Sequence, residues 1–180
     1  MKLPRDQKKN GGGVLRELSH ELDNLNWLFP SCTREFCYAH GFNSGSLQID
    51  NTIDDIYSIY GQLNGSDITL NNELKISLNF CSLIPYRKYR FITRERCFEW
   101  DGIKHTLTEA MPGHEAVIME ECGQDDVVSS YGRLFKDFRR WLQDRKGGYG
   151  NLCSYEEALI VCKQIDYIEK LNRSRLVEYR

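Results

Sequence analysis

The apolar residues of this chain change their spacing twice, and that constrains the fold more than any single motif does. Val14, Leu15, Leu18, Leu22, Leu25, Leu28 and Phe29 recur every three or four residues, as on one face of a helix. Three glycines, Gly11 to Gly13, lead in and Pro30 stops the pattern, so a helix is predicted over about residues 13–29. From about residue 33 to 109 the period becomes two. Leu74, Ile76, Leu78 and Phe80 alternate with Lys75, Ser77, Asn79 and Cys81, the pattern of a strand with one buried face. Ile56 to Leu63 and Tyr86 to Thr93 are rich in tyrosine and β-branched residues and read as further strands. Asn64-Gly65 and Asn71-Asn72 are turn formers between them. Phe98 to Trp100 and Ile103 to Leu107 flank Asp101-Gly102, the composition of a hairpin with a two-residue turn. Arg34 to Phe42 and Leu47 to Ile49 add one or two candidates.

The helical period then returns. Tyr131, Leu134, Phe135, Phe138, Trp141 and Leu142 form one stripe, with Ser129 or Ser130 as cap and Gly147-Gly148 as stop. Arg133, Lys136, Arg139, Arg140, Arg145 and Lys146 are expected on its wet side. Ser154-Tyr155-Glu156-Glu157 has the form of a capping box. Ala158, Leu159, Cys162, Ile165, Ile168 and Leu171 are the expected core face of the helix behind it. A helix, a run of strands and two helices predict an α+β fold. Its sheet should be mostly antiparallel, of about five to six strands, with helices on one face. Residues 1–10 read as a polar lead-in and 11–180 as a single α+β domain.

Composition narrows the function classes. A net charge of −2 argues against nucleic acid as a partner. No apolar run approaches the roughly 18 residues of a membrane span, and MKLPRDQKKNGGG lacks the apolar core of a secretory signal. The seven cysteines form no CxxC pair, and Cys81 and Cys162 sit inside apolar runs. Reduced, buried thiols and a cytoplasmic location are the expectation. Cys32, Cys37 and His40 are loosely spaced and lack an evident fourth ligand, so no metal site is expected.

GGGVLRELSHELDNLNWLF, the strands from Asp54 to Asp101 with RERCFEWD, and SSYGRLFKDFRRWLQDRKGGYGNLCSYEEALIVCKQIDYIEKLNRS resemble, in that order, a known domain. It is the C-terminal domain of the Gfo/Idh/MocA (glucose–fructose oxidoreductase / inositol dehydrogenase) family. The likeness runs over about residues 11–175, and Glu95 and Arg96 stand where family members often carry glycine. The resemblance implies a C-terminal fold of the glyceraldehyde-3-phosphate-dehydrogenase-like type. It also implies an activity, oxidation or reduction of a sugar or cyclitol hydroxyl with NAD or NADP. The nucleotide would belong to an N-terminal Rossmann domain. Gly11 to Gly13 are not a GxGxxG fingerprint and no Glu-Lys-Pro occurs. The implied protein is therefore half an enzyme, an expressed fragment or a truncated gene product. It would bind no cofactor itself and be inactive alone, with the cofactor in an intact parent.

His20 matches the family's helix histidine, which serves the substrate hydroxyl. Taking that proton requires a base. Glu17 and Asp23 lie three residues either side, so on a continuous helix they share the face of His20 and can fix its tautomer. Members often place an Asp four residues before the histidine, whereas here Glu17 stands three before. His20 and Glu17 are the catalytic candidates in an intact parent, and Asp23, Tyr86 and Arg87 the substrate-binding ones. The plainer readings are a surface histidine paired with an acid and a solvated strand face around Tyr86 to Arg90. The glycines admit two readings as well, close approach of backbones or a flexible lead-in. Expected partners are a second copy of the chain through the sheet face and a Rossmann domain in cis or in trans. The alternative function is a non-catalytic binding or assembly module.

Overall fold

The computed structural model describes residues 12–47, 52–65, 72–121, 127–144 and 152–178. Four helices and seven strands follow in the order α1 (Val14–Glu17), α2 (His20–Leu28), β1 (Thr33–Phe42), β2 (Ile56–Asn64), β3 (Asn72–Asn79), β4 (Lys88–Ile92), β5 (Cys97–Asp101), β6 (Thr106–Ala110), β7 (Val117–Glu121), α3 (Val127–Gln143) and α4 (Tyr155–Glu178). The fold is α+β and antiparallel, as expected. Its strands divide into two sheets, β1-β2-β3 and β4-β5-β6-β7, rather than one. β7 is the strand the sequence reading missed. The chain clusters into two compact units, Met1–Cys81 with Cys153–Arg180, and Ser82–Leu152.

The first unit holds the core. Along β2, Tyr57, Ile59 and Leu63 are buried at every second position that carries a large apolar side chain. Ala39 and Ile76 flank Ile59 in register, and Gly41 and Leu78 flank Tyr57. Gly41 is required there, because a Cβ would stand 2.2 Å from the Tyr57 ring. In β1 the register slips between Phe36 and Tyr38. The bulge shifts the buried positions from Phe36 to Ala39 and leaves Cys37 exposed.

Helices α1, α2 and α4 cover the inner face of this sheet. Val14, Leu15, Leu22 and Leu25 join Val161, Ile165 and Ile168 in its core. At its start the buried face of α4 thus departs from the expected one: Leu159 is 37% exposed and Cys162 is exposed. The capping box of α4 is present, with Glu157 N–H donating to Ser154 Oγ at 3.2 Å and Ser154 N–H to Glu157 Oε2 at 2.7 Å.

The second unit is a four-stranded antiparallel meander plus α3. Strand β4 starts at Lys88, so Tyr86 and Arg87 precede it. The β5–β6 hairpin exists, but Gly102 to His105 connect it in place of a two-residue turn. Asp101 Oδ1 accepts from Ile103 and Lys104 N–H at 3.0 Å each and shapes that loop. Helix α3 begins at Val127, ahead of the expected serine caps. Cys122, Arg145, Lys146, the Gly147-Gly148 stop and most of the Leu47–Ile49 candidate lie outside the described residues.

Candidate functional site

The candidate site grows from the turn that starts α1. Gly13 has φ of +117°, a conformation that side-chain-bearing residues rarely adopt. It is buried, and its geometry lets Val14 N–H donate to Asp54 O at 2.9 Å. At Gly13 the run closes a backbone contact with Asp54 of the same unit, while Gly11 lies outside the described residues.

The expected helix over 13–29 is broken at Leu18 and Ser19. Glu21 N–H reaches Leu18 O and Leu22 N–H reaches Ser19 O, both at 3.0 Å and with three-residue spacing. Glu17 therefore closes α1 while His20 opens α2, and spacing along one helix no longer places them on a shared face. The partner the structure gives His20 is instead Glu21, with Nε2 to Oε1 at 3.1 Å and the imidazole half exposed. Asp23 sits one turn along α2. The Cys153 thiol is pushed up, by burial first and then by the charges of Asp23 and Glu157. Trp27, seven residues after His20 and so on the same helical face, is 73% exposed, and the sequence reading did not single it out.

Three contacts hold this helix pair in place. Arg16 makes a two-pronged ion pair with Glu169 of α4, Nε to Oε1 at 2.8 Å and NH2 to Oε2 at 3.0 Å. Asn26 and Gln164 exchange amide hydrogen bonds at 3.0 Å. Arg34 of β1 reaches back to the end of α2, donating to Cys32 O at 2.7 Å, Leu25 O at 3.2 Å and Phe29 O. It gives the last carbonyls of α2 their partners, at the cost of a burial that pushes its own pKa down.

Beneath the turn lies Asp55, which is 0% exposed. Its carboxylate accepts from Ser44 N–H at 2.8 Å and Ser44 Oγ–H at 2.7 Å, and Ser44 Oγ lies 3.2 Å from Cys81 Sγ. Burial alone would raise its pKa. The hydrogen bonds from Ser44 and the Cys81 thiol outweigh burial and hold it below the ordinary carboxylate range. The available signal was the Asp54-Asp55 pair just ahead of an alternating strand.

Gly12, Gly13, Arg16, Asp54, Tyr57 and Glu169 line a shallow concavity. It has room for little more than a water molecule, far short of a small-molecule pocket. At this helix start Val14 N–H is taken by Asp54 O and Arg16 N–H by Gly13 O, so these two donors are not open to an anion. Tyr86 and Arg87 belong to the second unit. Tyr86 is 71% exposed with Lys88 Nζ 6.0 Å from its ring centre, and the Arg87 guanidinium lies 5.6 Å from the Trp100 ring centre.

No protein-family profile and no curated protein sequence matches the chain. Solved structures do. A super-repressor mutant of Gal80p from Saccharomyces cerevisiae aligns over 92% of this chain and 49% of its own, with TM-score 0.68 and 15% identity. UDP-N-acetylglucosamine 3-dehydrogenase GnnA from Acidithiobacillus ferrooxidans aligns over 88% and 46%, with TM-score 0.64 and 14% identity. Biliverdin reductase from Synechocystis, solved with biliverdin and NADP+, aligns over 95% and 50%, with TM-score 0.65 and 10% identity. These neighbours are of the Gfo/Idh/MocA type. At such identities the likeness defines the fold, and this chain spans about half the length of the structures it matches.

Proposed function

We propose that this chain is the substrate-side and assembly domain of an NAD(P)-dependent oxidoreductase acting on a sugar or cyclitol hydroxyl. It works with a nucleotide-binding domain, in cis or in trans, and is inactive without one. The observation that carries this reading is His20, a half-exposed imidazole at the start of α2, held beside Glu21 and following a glycine turn. An imidazole placed so takes a hydroxyl proton, and the neighbouring carboxylate orients the ring. Glu17, Asp23, Tyr86 and Arg87 stay as supporting candidates, with Glu21 added. Self-association through the sheet face and a cytoplasmic location belong to the same reading.

A titration of the purified chain with NADH, followed by nucleotide fluorescence, tests the division of labour. No saturable binding up to millimolar nucleotide is expected, and tight binding would overturn the reading. With a nucleotide-binding domain supplied, His20→Ala is expected to lower kcat by roughly 10²-fold, the scale of general acid–base groups. An unchanged kcat would make His20 structural.

A second reading is a non-catalytic assembly module. The likeness to Gal80p, described as a transcriptional regulator in Kluyveromyces lactis, favours it. Stable assembly with no turnover, even with nucleotide domain and substrate present, would decide for it.

A further inference from the structure

We propose that α3 of one copy docks on β7 of a second copy, and reciprocally, so that two chains pair about a two-fold axis. The proposal rests on the reading above that the chain self-associates, and it places the contact on α3 and β7 in place of the sheet face.

Tyr131, Leu134, Phe135, Phe138 and Leu142 follow one another at helical spacing along α3 and are 43–65% exposed. Together they make one apolar stripe. Arg133, Lys136, Arg139 and Arg140 are exposed beside it, with Asp137 paired to Arg140 at 3.6 Å. Strand β7 offers the opposite character. Val117, Ile118 and Met119 are 56–60% exposed, and Glu115, Glu120 and Glu121 around them are exposed too. One patch is apolar and cationic, the other apolar and anionic, and the residues named in both are exposed apart from Asp137. Each is what the other needs.

Two further points select a second copy as the occupant. An anionic lipid surface would suit α3, but the glutamates of β7, close by in sequence, would be repelled by it. Pairing of two β7 edges is opposed by the irregular β6–β7 register, which leaves Met119 as an extra residue in the strand. Such a bulge twists an edge away from a new strand and re-aims its side chains, favouring contact through side chains. A two-fold pair uses both patches on both chains. That engages roughly 15 residues a side, fewer than the roughly 20–30 of a standard interface, so the pair is a small one.

The test is sedimentation equilibrium over micromolar concentrations. The wild-type chain is expected to dimerise. Arg139→Glu with Arg140→Glu, or Glu120→Lys with Glu121→Lys, should each raise the dimer Kd by at least about tenfold. Mixing the two variants should restore the dimer, since in the mixed pair both contacts again join opposite charges. Phe135→Ser supplies an uncharged break at a 61% exposed position. All these positions are exposed, so unchanged circular dichroism should confirm the fold. A mixture that stays monomeric overturns the proposal. Variants that dimerise like wild type also overturn it, while leaving self-association through another surface standing. A wild-type chain that is monomeric throughout overturns both.

Discussion

In the first unit Ile59 and Ile168 are 0% exposed and helices close over one sheet face, whereas in the second the one residue below a tenth exposed, among those described, is the charged Asp101. The second unit relies on cross-strand partners instead. Lys88 Nζ bonds Glu99 Oε1 at 2.6 Å, Arg90 Nε bonds Glu99 Oε2 at 2.9 Å and Arg96 bonds Glu109 at 2.6 Å. Tyr89 and Trp100 stack with ring centres 5.2 Å apart. Such pairs contribute roughly 0.2–1 kcal/mol each, against roughly 1–2 kcal/mol for ordering each residue's backbone. A sheet held this way should be the less stable of the two.

The largest expected effect is a core truncation. Ile59→Ala should cost about 3 kcal/mol, because a fully buried isoleucine leaves a cavity its neighbours fill only in part. Leu107→Ala, at a half-buried position of β6, should cost about 1 kcal/mol. Urea unfolding of both variants measures the difference. Equal losses would break the contrast between the units. Amide exchange sharpens it, with slower exchange expected in β2 than in β6.

Next comes Asp55→Ala, with an expected loss of about 2–3 kcal/mol by the same measurement. It strips the partner from two Ser44 donors and empties a buried site. Asp55→Asn should recover part of that, since one carbonyl oxygen still accepts. A neutral Asp55→Ala would mean that this carboxylate does not organise the loop into β2.

Much of this was legible in the sequence because local chemistry repeated itself. The period-two runs of β2 and β3 and the capping box at Ser154 stand where spacing put them. The break at Leu18–Ser19 was not legible, since Leu18 and Leu22 keep the helical period across it. Only the backbone hydrogen bonds reveal the tightened turn. With that break the shared face of His20 and Glu17 is lost, whereas Asp23 keeps its three-residue spacing within α2, and the ion-pair contact of His20 falls on Glu21. The buried stripe of α4 keeps the expected Ile165, Ile168 and Leu171, but at its start Ala158, Leu159 and Cys162 are exposed and Val161 does the packing. Arg34 of β1 reaches back to carbonyls two to nine residues before it, at the end of α2, and no motif marks that contact. The division into two sheets depends on which strand edges meet, which side-chain periodicity does not encode.

The smallest expected effect is electrostatic, and it separates the units by pH. Lys88 first, then Arg90, hold the Glu99 carboxyl below its ordinary value. Asp101 is held down by the Lys104 and Ile103 N–H groups and by Lys88, against the opposing effect of burial. A carboxyl depressed on folding adds stability above its unfolded pKa, about 4. That stability disappears as pH falls through the depressed folded value. In the first unit Asp55 and Glu157 are depressed as well, but the apolar cluster around Ile59 and Ile168, which carries no carboxyl, supports that unit at any acid pH. Acid should therefore loosen the second unit first, reported by Trp100. Glu99→Gln should weaken that unit slightly at neutral pH and flatten its response to acid. Protonated glutamate and glutamine are alike in charge, so the two acid-unfolding curves should converge at low pH. Curves that stay parallel would show that the Lys88–Glu99–Arg90 cluster adds nothing to the second sheet, and would leave its ring contacts as the main support.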